Sequence, residues 1–577
     1  MPTPSRPSAE AHGDLQVGPL PRAPTQPLRL RVGWVSRVGV SRLSSYAWGA
    51  IGVATAFIAI TCWWLTQDTS IPIYDAGNHL EVAFTFHDMI KAGNLLGPFN
   101  YESPYPPLGA FIGAIATFIG GVNIGPPIVG ENLVFVPLLT LGCYQTGRLL
   151  FGPRAGLLAV IFVFGSPLLI AQFHVFMLDA PETAVVAVSI WLLLACRDFS
   201  DVRFAALAGL LVGLGLLTKV QFPAFVAGIV LMALLRGGWR NRRGLVVFAL
   251  IALVVAAPWY LDHLAQFATF ETDAGPHQGV PIGDTPATWT LTNFMWYFWN
   301  VLNSQFLAPL FTLIVGGAVW TGATLLRHRR DAWSGESIKA EPPVDRGPYG
   351  ARLEFFAGLV VAWLLITLTP SHDIRYGMPL MPYLAVIATG WIVYLPRTAR
   401  LLAIALVVLG VSANTLSTTF GVGRVVHIAL KRPRPHGEED TDDIRLYTNV
   451  GFLVAGPRRD GDVPGLLEAL HREGVKQIAW ALEQSRYSDF SAEGILALAR
   501  IANLSPALTE APEFSNSTQV ATLIHGPITA HTPPICTEVS NDAGASGVWV
   551  ARYDASVRKL ALYCPTRRPQ YYDIGGI

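Results

Sequence analysis

Carboxylates and cations in this chain stand where most of the sequence is apolar. "PIYDAGNHLEVAFTFHDMIKAGNLLGPFNYESPYPPLGAFIGAI" (72–115) carries Asp75, Glu81, Asp88 and Glu102 between two strongly apolar runs. Farther on, "FMLDAPETA" places Asp179, "GLGLLTK" ends on Lys219, and "DIRYGMPLMPY" holds Arg375 and Tyr376. A carboxylate fixed at an interface can take the proton of a hydroxyl group. Fixed cations in a partly dehydrated site stabilise the charge that builds on a departing phosphate, and the planar fork of Arg suits two phosphate oxygens. Asp75 is the candidate base, Lys219, Arg375 and Tyr376 the candidate phosphate-binding group, and Asp179, Glu81 and Glu102 the acids that shape the site or meet an acceptor. Lys219 and Arg375 also admit a plain reading as headgroup-seeking side chains, and Asp179 as an N-cap for a helix beginning at Pro181.

The elements that must position these residues are membrane helices. Charged residues make up 14% of the chain, against about 25% in soluble proteins, and the mean hydropathy is +0.41, which together exclude a water-soluble globule. Residues 1–44 read as a disordered basic tail facing the cytoplasm, with no cleavable signal pattern. "YAWGAIGVATAFIAITCWWLT" is the first span, and about eleven spanning helices are expected between 45 and 420. "PPLGAFIGAIATFIGG" is too short to cross and is predicted as a surface or half-entering helix.

Sidedness follows from Lys and Arg, which collect in short cytoplasmic loops. Arg22, Arg29, Arg31, Arg37 and Arg42 precede the first span, and the loops with Arg148 and Arg154, with Arg197 and Arg203, then "RGGWRNRR", "RHRR" and "PRTAR" fall on the same side by alternation. The opposite side keeps only Lys91, Lys219 and Arg375 before the last helix, so the acidic stretch and the candidate site are expected to be extracytoplasmic.

Taken in order, Asp75, "YPPL" (105–108), Asp179, "GLGLLTK", "APWY" (257–260) and "DIRYGMPLMPY" resemble the membrane glycosyltransferases of the GT-C fold, in particular the protein O-mannosyltransferase and aminoarabinose transferase group. The resemblance covers roughly 45–420 and implies transfer of a monosaccharide from a polyprenyl-phosphate carrier to a lipid, glycan or protein acceptor at the outer face of the inner or plasma membrane. Ala76 stands where the family usually has Glu, and Tyr105 where a basic residue or His often precedes Pro-Pro. These departures leave the acceptor class and metal use open. Glu102 and Asp75 (oxygen) and His277 (imidazole) are the candidate ligands for a divalent metal cation, without a metal spacing motif, and His277 also reads as an ordinary loop histidine. "SHD" (371–373) is no catalytic triad, since consecutive residues do not face one another.

Residues 421–440 read as a polar linker and 441–577 as a soluble extracytoplasmic α/β or α+β domain, with "VKQIAWAL" strand-like and "SAEGILALARIAN" helical. Cys536 and Cys564, the only cysteines there, are expected to form a disulfide in an oxidising compartment. No basic patch with interleaved aromatics appears, so membrane lipids rather than nucleic acid are the expected surroundings. A transporter or flippase of a lipid-linked sugar, or a non-catalytic anchor, is the rival reading. A transporter should place its ionisable residues near the bilayer midplane.

Overall fold

The computed structural model describes residues 43–70, 72, 75–264, 289–328, 349–369, 372–428, 444–448, 456–457, 478–480, 497, 500–501, 549–554, 559–563 and 570–572. The chain divides into Met1–Ser44 and Ser45–Ile577, and the architecture described belongs to the second unit.

Helix α1 (Ser45–Gln67) is apolar throughout and packs along α4 (Gly125–Phe151) and α5 (Pro153–Val163). Between α1 and α4 lie two shorter helices, α2 (Asp75–Lys91) and α3 (Leu108–Gly120), packed on each other. The apolar stripe of α2 (Leu80, Ala83, Phe84, His87) follows the i, i+3, i+4, i+7 spacing of an amphipathic helix and is buried. With 13 residues, α3 is about 20 Å long, short of a bilayer core. Pro126 stands in the first turn of α4, where the missing N–H has no helical acceptor to lose.

The pair α5 and α6 (Pro167–Phe173) bends by 70° at the break between them. Ser166 Oγ accepts from the Leu169 N–H at 3.2 Å and so caps the second piece. Helix α7 (Asp179–Ala195) is buried on nearly every side, the pattern of a central helix. A Cβ at Gly142 of α4 would run into the Ala187 backbone of α7, so the two helices meet at small-residue distance. Around them stand α8 (Val202–Leu216, capped by Asp201), α9 (Pro223–Leu235), α10 (Arg242–Asp262), α11 (Leu291–Asn300), α12 (Leu307–Arg327), α13 (Tyr349–Thr367), α14 (Met381–Gly390) and α15 (Arg397–Phe420).

Among the described residues six helices are long and apolar enough to cross a membrane: α1, α4, α10, α12, α13 and α15; the bent pair α5 and α6 makes a seventh if it counts as one span. Leu108–Gly120, Val202–Leu216, Pro223–Leu235 and Met378–Tyr394 are shorter apolar helices.

After α15, β1 (Val426–Ile428) pairs antiparallel with β2 (Ile444–Tyr447). A second sheet has the order β3 (Ile478–Trp480), β4 (Trp549–Asp554), β5 (Lys559–Tyr563), β6 (Gln570–Tyr572); β3 runs parallel to β4 and the other pairs are antiparallel. The strand read from "VKQIAWAL" is β3, and Ala497, Arg500 and Ile501 of "SAEGILALARIAN" are helical.

Candidate active site

Four of the residues singled out in the sequence converge. Asp75 opens α2, Asp179 opens α7, Lys219 lies in the turn from α8 to α9, and Arg375 lies in the turn from α13 to α14. Lys219 Nζ donates to Asp179 Oδ1 at 2.6 Å. Arg375 Nη1 donates to Asp75 Oδ2 at 2.9 Å across a separation of 300 residues, and lies 4.0 Å from Asp179 Oδ2. The Tyr376 ring lies under Lys219, with Nζ 4.7 Å from its centroid.

Local sequence explains each placement. Asp179 sits in the first turn of α7, where the positive end of the helix dipole favours a carboxylate. The helix begins at Asp179 rather than at Pro181, and no side chain caps it. The capping reading is therefore corrected: the carboxylate is engaged by Lys219, not by the helix N–H groups. The amide of Lys219 is held by the Gly215 carbonyl, and Gly215 lets the Phe222 ring close over the turn, because a Cβ there would collide with it. Asp373 accepts from the Arg375 N–H at 2.8 Å, an Asx turn, and from Arg375 Nε and Nη2 at 3.1 and 2.9 Å. Two asparagines of α11 fix this turn from behind: Asn293 donates to the Thr367 carbonyl and Asn300 to the Ile374 carbonyl, each at 2.7 Å.

Three carboxylates thus share two cations. Burial opposes charge on Lys219, yet Asp179 and then Glu182 hold its ammonium above the ordinary lysine range. His79, one turn after Asp75, meets the Tyr105 ring edge-on at 4.7 Å. Burial lowers its pKa to about 4 against the pull of Asp75 and Asp179, leaving a neutral imidazole. Burial, reinforced by Asp75, pushes the Tyr105 phenol up to about 12. The Asp75 side chain is 39% exposed, against 2% for Asp179. Of the two acids the sequence singled out here, Asp75 is the one a solute can reach.

The other predicted residues lie elsewhere. Glu81 faces away along α2 and binds Arg500. Glu102 lines a separate cavity of about 430 Å³ with Met89, Asn94, Gly97, Asn100 and Tyr101. Among the described residues no three His, Cys, Asp or Glu side chains form a metal-ligand group; Asp75 is turned to Arg375, and His277 lies outside the described residues. So do Cys536 and Cys564. Sequence reasoning missed Asp373 and His79. The signal for His79 was its i+4 spacing from Asp75 on a helix; for Asp373 it was the Asp-x-Arg turn that starts at the last residue of the segment dismissed as a triad.

Residues 104–261 match the family described as dolichyl-phosphate-mannose-protein mannosyltransferase. No curated protein gives a significant sequence match. Solved structures similar to the chain include ArnT from Cupriavidus metallidurans in the apo state (16% identity, 64% of this chain and 65% of that one, TM-score 0.43) and bound to undecaprenyl phosphate (17%, 63% and 65%, 0.42). Another is the oligosaccharyltransferase of Archaeoglobus fulgidus in complex with Zn and sulfate (12%, 90% and 73%, 0.44). The chain thus spans 65% of the length of ArnT. The family match takes in Tyr105, Asp179 and Lys219, three residues of the cluster described above, and through it this polytopic helical chain is similar to the membrane glycosyltransferases of the protein-mannosyltransferase type.

Proposed function

We propose that the chain transfers a monosaccharide from a polyprenyl-phosphate carrier to an acceptor hydroxyl, with Asp75 as the base. The observation that carries this reading is the convergence of Asp75, Asp179, Lys219 and Arg375 from four separate elements. It is supported by the family match, whose name specifies a lipid-phosphate sugar and a protein acceptor. Asp75 removes the acceptor proton, the acceptor oxygen bonds to the anomeric carbon from the face opposite the phosphate, and the carbon–phosphate-oxygen bond breaks with its electrons on the lipid phosphate. Configuration at the sugar inverts. Lys219 and Arg375 neutralise the departing phosphate. Because Arg375 Nη1 already holds Asp75, a bound phosphate draws the guanidinium toward itself and frees the base for the acceptor.

In this reading α1, α4, the bent pair α5 and α6, α7 to α10, and α12 to α15 cross the membrane, about eleven spans, while α2, α3 and α11 lie at the outer surface of the inner or plasma membrane. The C-terminal sheet belongs to an extracytoplasmic domain. A reporter active only outside the cytoplasm then works when joined after Phe420 and fails when joined after Arg240; the reverse result inverts the topology.

The decisive assay incubates the purified protein with radiolabelled polyprenyl-phosphate monosaccharides and a membrane extract, and identifies what becomes labelled. Asp75→Asn keeps the shape of the side chain but cannot accept the proton, so transfer falls by about 100-fold or more while donor binding persists. Unchanged transfer by this variant removes Asp75 from the role of base.

A further inference from the structure

Helix α2 is gripped on the side its chemistry does not use. Glu81, Thr85 and Asp88 are spaced four and three apart and so form one stripe along the helix. Arg500, 419 residues beyond Glu81, lies along that stripe. Its Nη2 donates to Glu81 Oε1 and to Thr85 Oγ1, both at 3.1 Å; Nε reaches Glu81 Oε1 at 3.3 Å, and Nη1 reaches Asp88 Oδ2 at 2.9 Å. The Thr85 hydroxyl donates to the same Glu81 oxygen at 3.1 Å. One turn earlier, Ala497 is fully buried in a cluster with Leu80, Phe84 and Phe86 of α2, and Ile501 packs beside it.

An exposed ion pair alone contributes little, at most about 1 kcal/mol, and the Arg500 side chain is 40% exposed. Here, however, one guanidinium spans two turns of the helix and is seated by an apolar plug. The pairing therefore fixes the rotation and the axial position of α2 together. Asp75 is the first residue of that helix, six residues or roughly 9 Å from Glu81, so any slide or roll of α2 moves its carboxylate relative to Lys219 and Arg375, which stand on other elements. A displacement of about 1 Å can cost 100-fold in rate.

We infer that Arg500 is a positioning residue for the transfer reaction: together with Ala497 and Ile501 it holds the helix that carries the base. This rests on the reading of Asp75 as that base. Arg500 touches no reacting group, and its loss acts on kcat rather than on donor affinity, because the phosphate is held by residues outside α2.

The test uses the full-length protein with a radiolabelled polyprenyl-phosphate monosaccharide. Arg500→Glu is expected to lower kcat by about 10-fold or more with the donor KM unchanged, Arg500→Lys to retain most of the rate, and Asp88→Arg to restore part of what Arg500→Glu loses. A wild-type kcat for Arg500→Glu, a loss expressed in donor KM alone, or no recovery in the Arg500→Glu, Asp88→Arg pair overturns the inference. If Asp75→Asn is inactive while Arg500→Glu is normal, the clasp has failed and the base reading stands; if Asp75→Asn is itself active, the base reading has failed. The docking is read independently of activity by benzoylphenylalanine in place of Ile501. Photocrosslinking to the α2 peptide supports the clasp, and absence of that crosslink overturns it.

Discussion

Helices α9 and α13 pack side by side, and an ion cluster stands beyond each end of the pair. After α9, Arg236 donates to Glu354 at 2.6 Å, with side-chain exposures of 2% and 1%, and Asp198 stands 3.6 Å away. Arg352 is beside them in sequence, donating to the Leu150 carbonyl and lying 4.6 Å over the Phe151 ring. Before α9, Lys219 meets Asp179, and after α13, Arg375 meets Asp75 and Asp373. Arg236 faces two carboxylates, Glu354 and Asp198, while at the other end Lys219 and Arg375 share three, Asp179, Asp75 and Asp373. The Arg236–Glu354 pair is sealed, with only Asp198 reaching 20% exposure at its edge, whereas at the other end Asp75 stands 39% open. On the proposed reading, the same chemistry serves structure where it is closed and reaction where one member can exchange its partner for a solute.

The comparison breaks first at the sealed end. Arg236→Ala leaves Glu354 buried without its cation, and removing one partner of such a pair costs about 3–5 kcal/mol. The expected result is a large fall in the melting temperature of the detergent-purified protein, with normal turnover per folded molecule. A stable Arg236→Ala protein with no transfer would assign this end a part in the reaction and erase the contrast.

At the open end the order of effects reverses. Arg375→Ala is expected to lose about 100-fold or more in transfer with a smaller change in melting temperature, because water reaches the vacated side. Arg375→Lys keeps the charge but cannot bridge Asp75 and Asp373 at once, so its rate falls between alanine and wild type. Wild-type turnover by either variant would make Arg375 an interface anchor like any other.

The helices and the membership of the open cluster were legible in the sequence for different reasons. Long apolar runs such as α1 and α10 declare themselves, and the charges that interrupt apolar context at Asp75, Asp179, Lys219 and Arg375 are costly enough to mark a site. What the one-dimensional pattern did not carry is which carboxylate meets which cation. Asp179 looked like a cap because Pro181 looked like a helix start, but the helix begins two residues earlier and turns the carboxylate to Lys219. Asp373 was set aside because consecutive residues do not face one another, although an Asp two residues before an Arg can fold back on it through a turn. Arg500 left no signal, since nothing local to it encodes a contact with α2.

A pH dependence sharpens the comparison further. His79 is neutral in the folded protein, with a pKa of about 4 against 6.5 for an ordinary histidine. Between those values the unfolded chain binds a proton that the folded chain refuses. The stability contribution is therefore fully present above pH 6.5 and is lost as pH falls through that window. His79→Gln should flatten the slope of melting temperature against pH there; an unchanged slope would mean that other groups dominate the acid response.

The smallest effect is expected one face away from the chemistry. Glu81 shares α2 with Asp75 but points to Arg500, where Thr85 and Asp88 also hold the guanidinium. Glu81→Gln retains an oxygen that can accept from Arg500 and gives up only the charge of an exposed pair, worth about 0–1 kcal/mol. Transfer should accordingly fall by no more than about fivefold, far less than for Asp75→Asn in the same assay. If Glu81→Gln abolishes transfer while Asp75→Asn remains active, the base lies on the Arg500 face of the helix, and the openness of the Asp75 cluster would have to be explained by something other than catalysis.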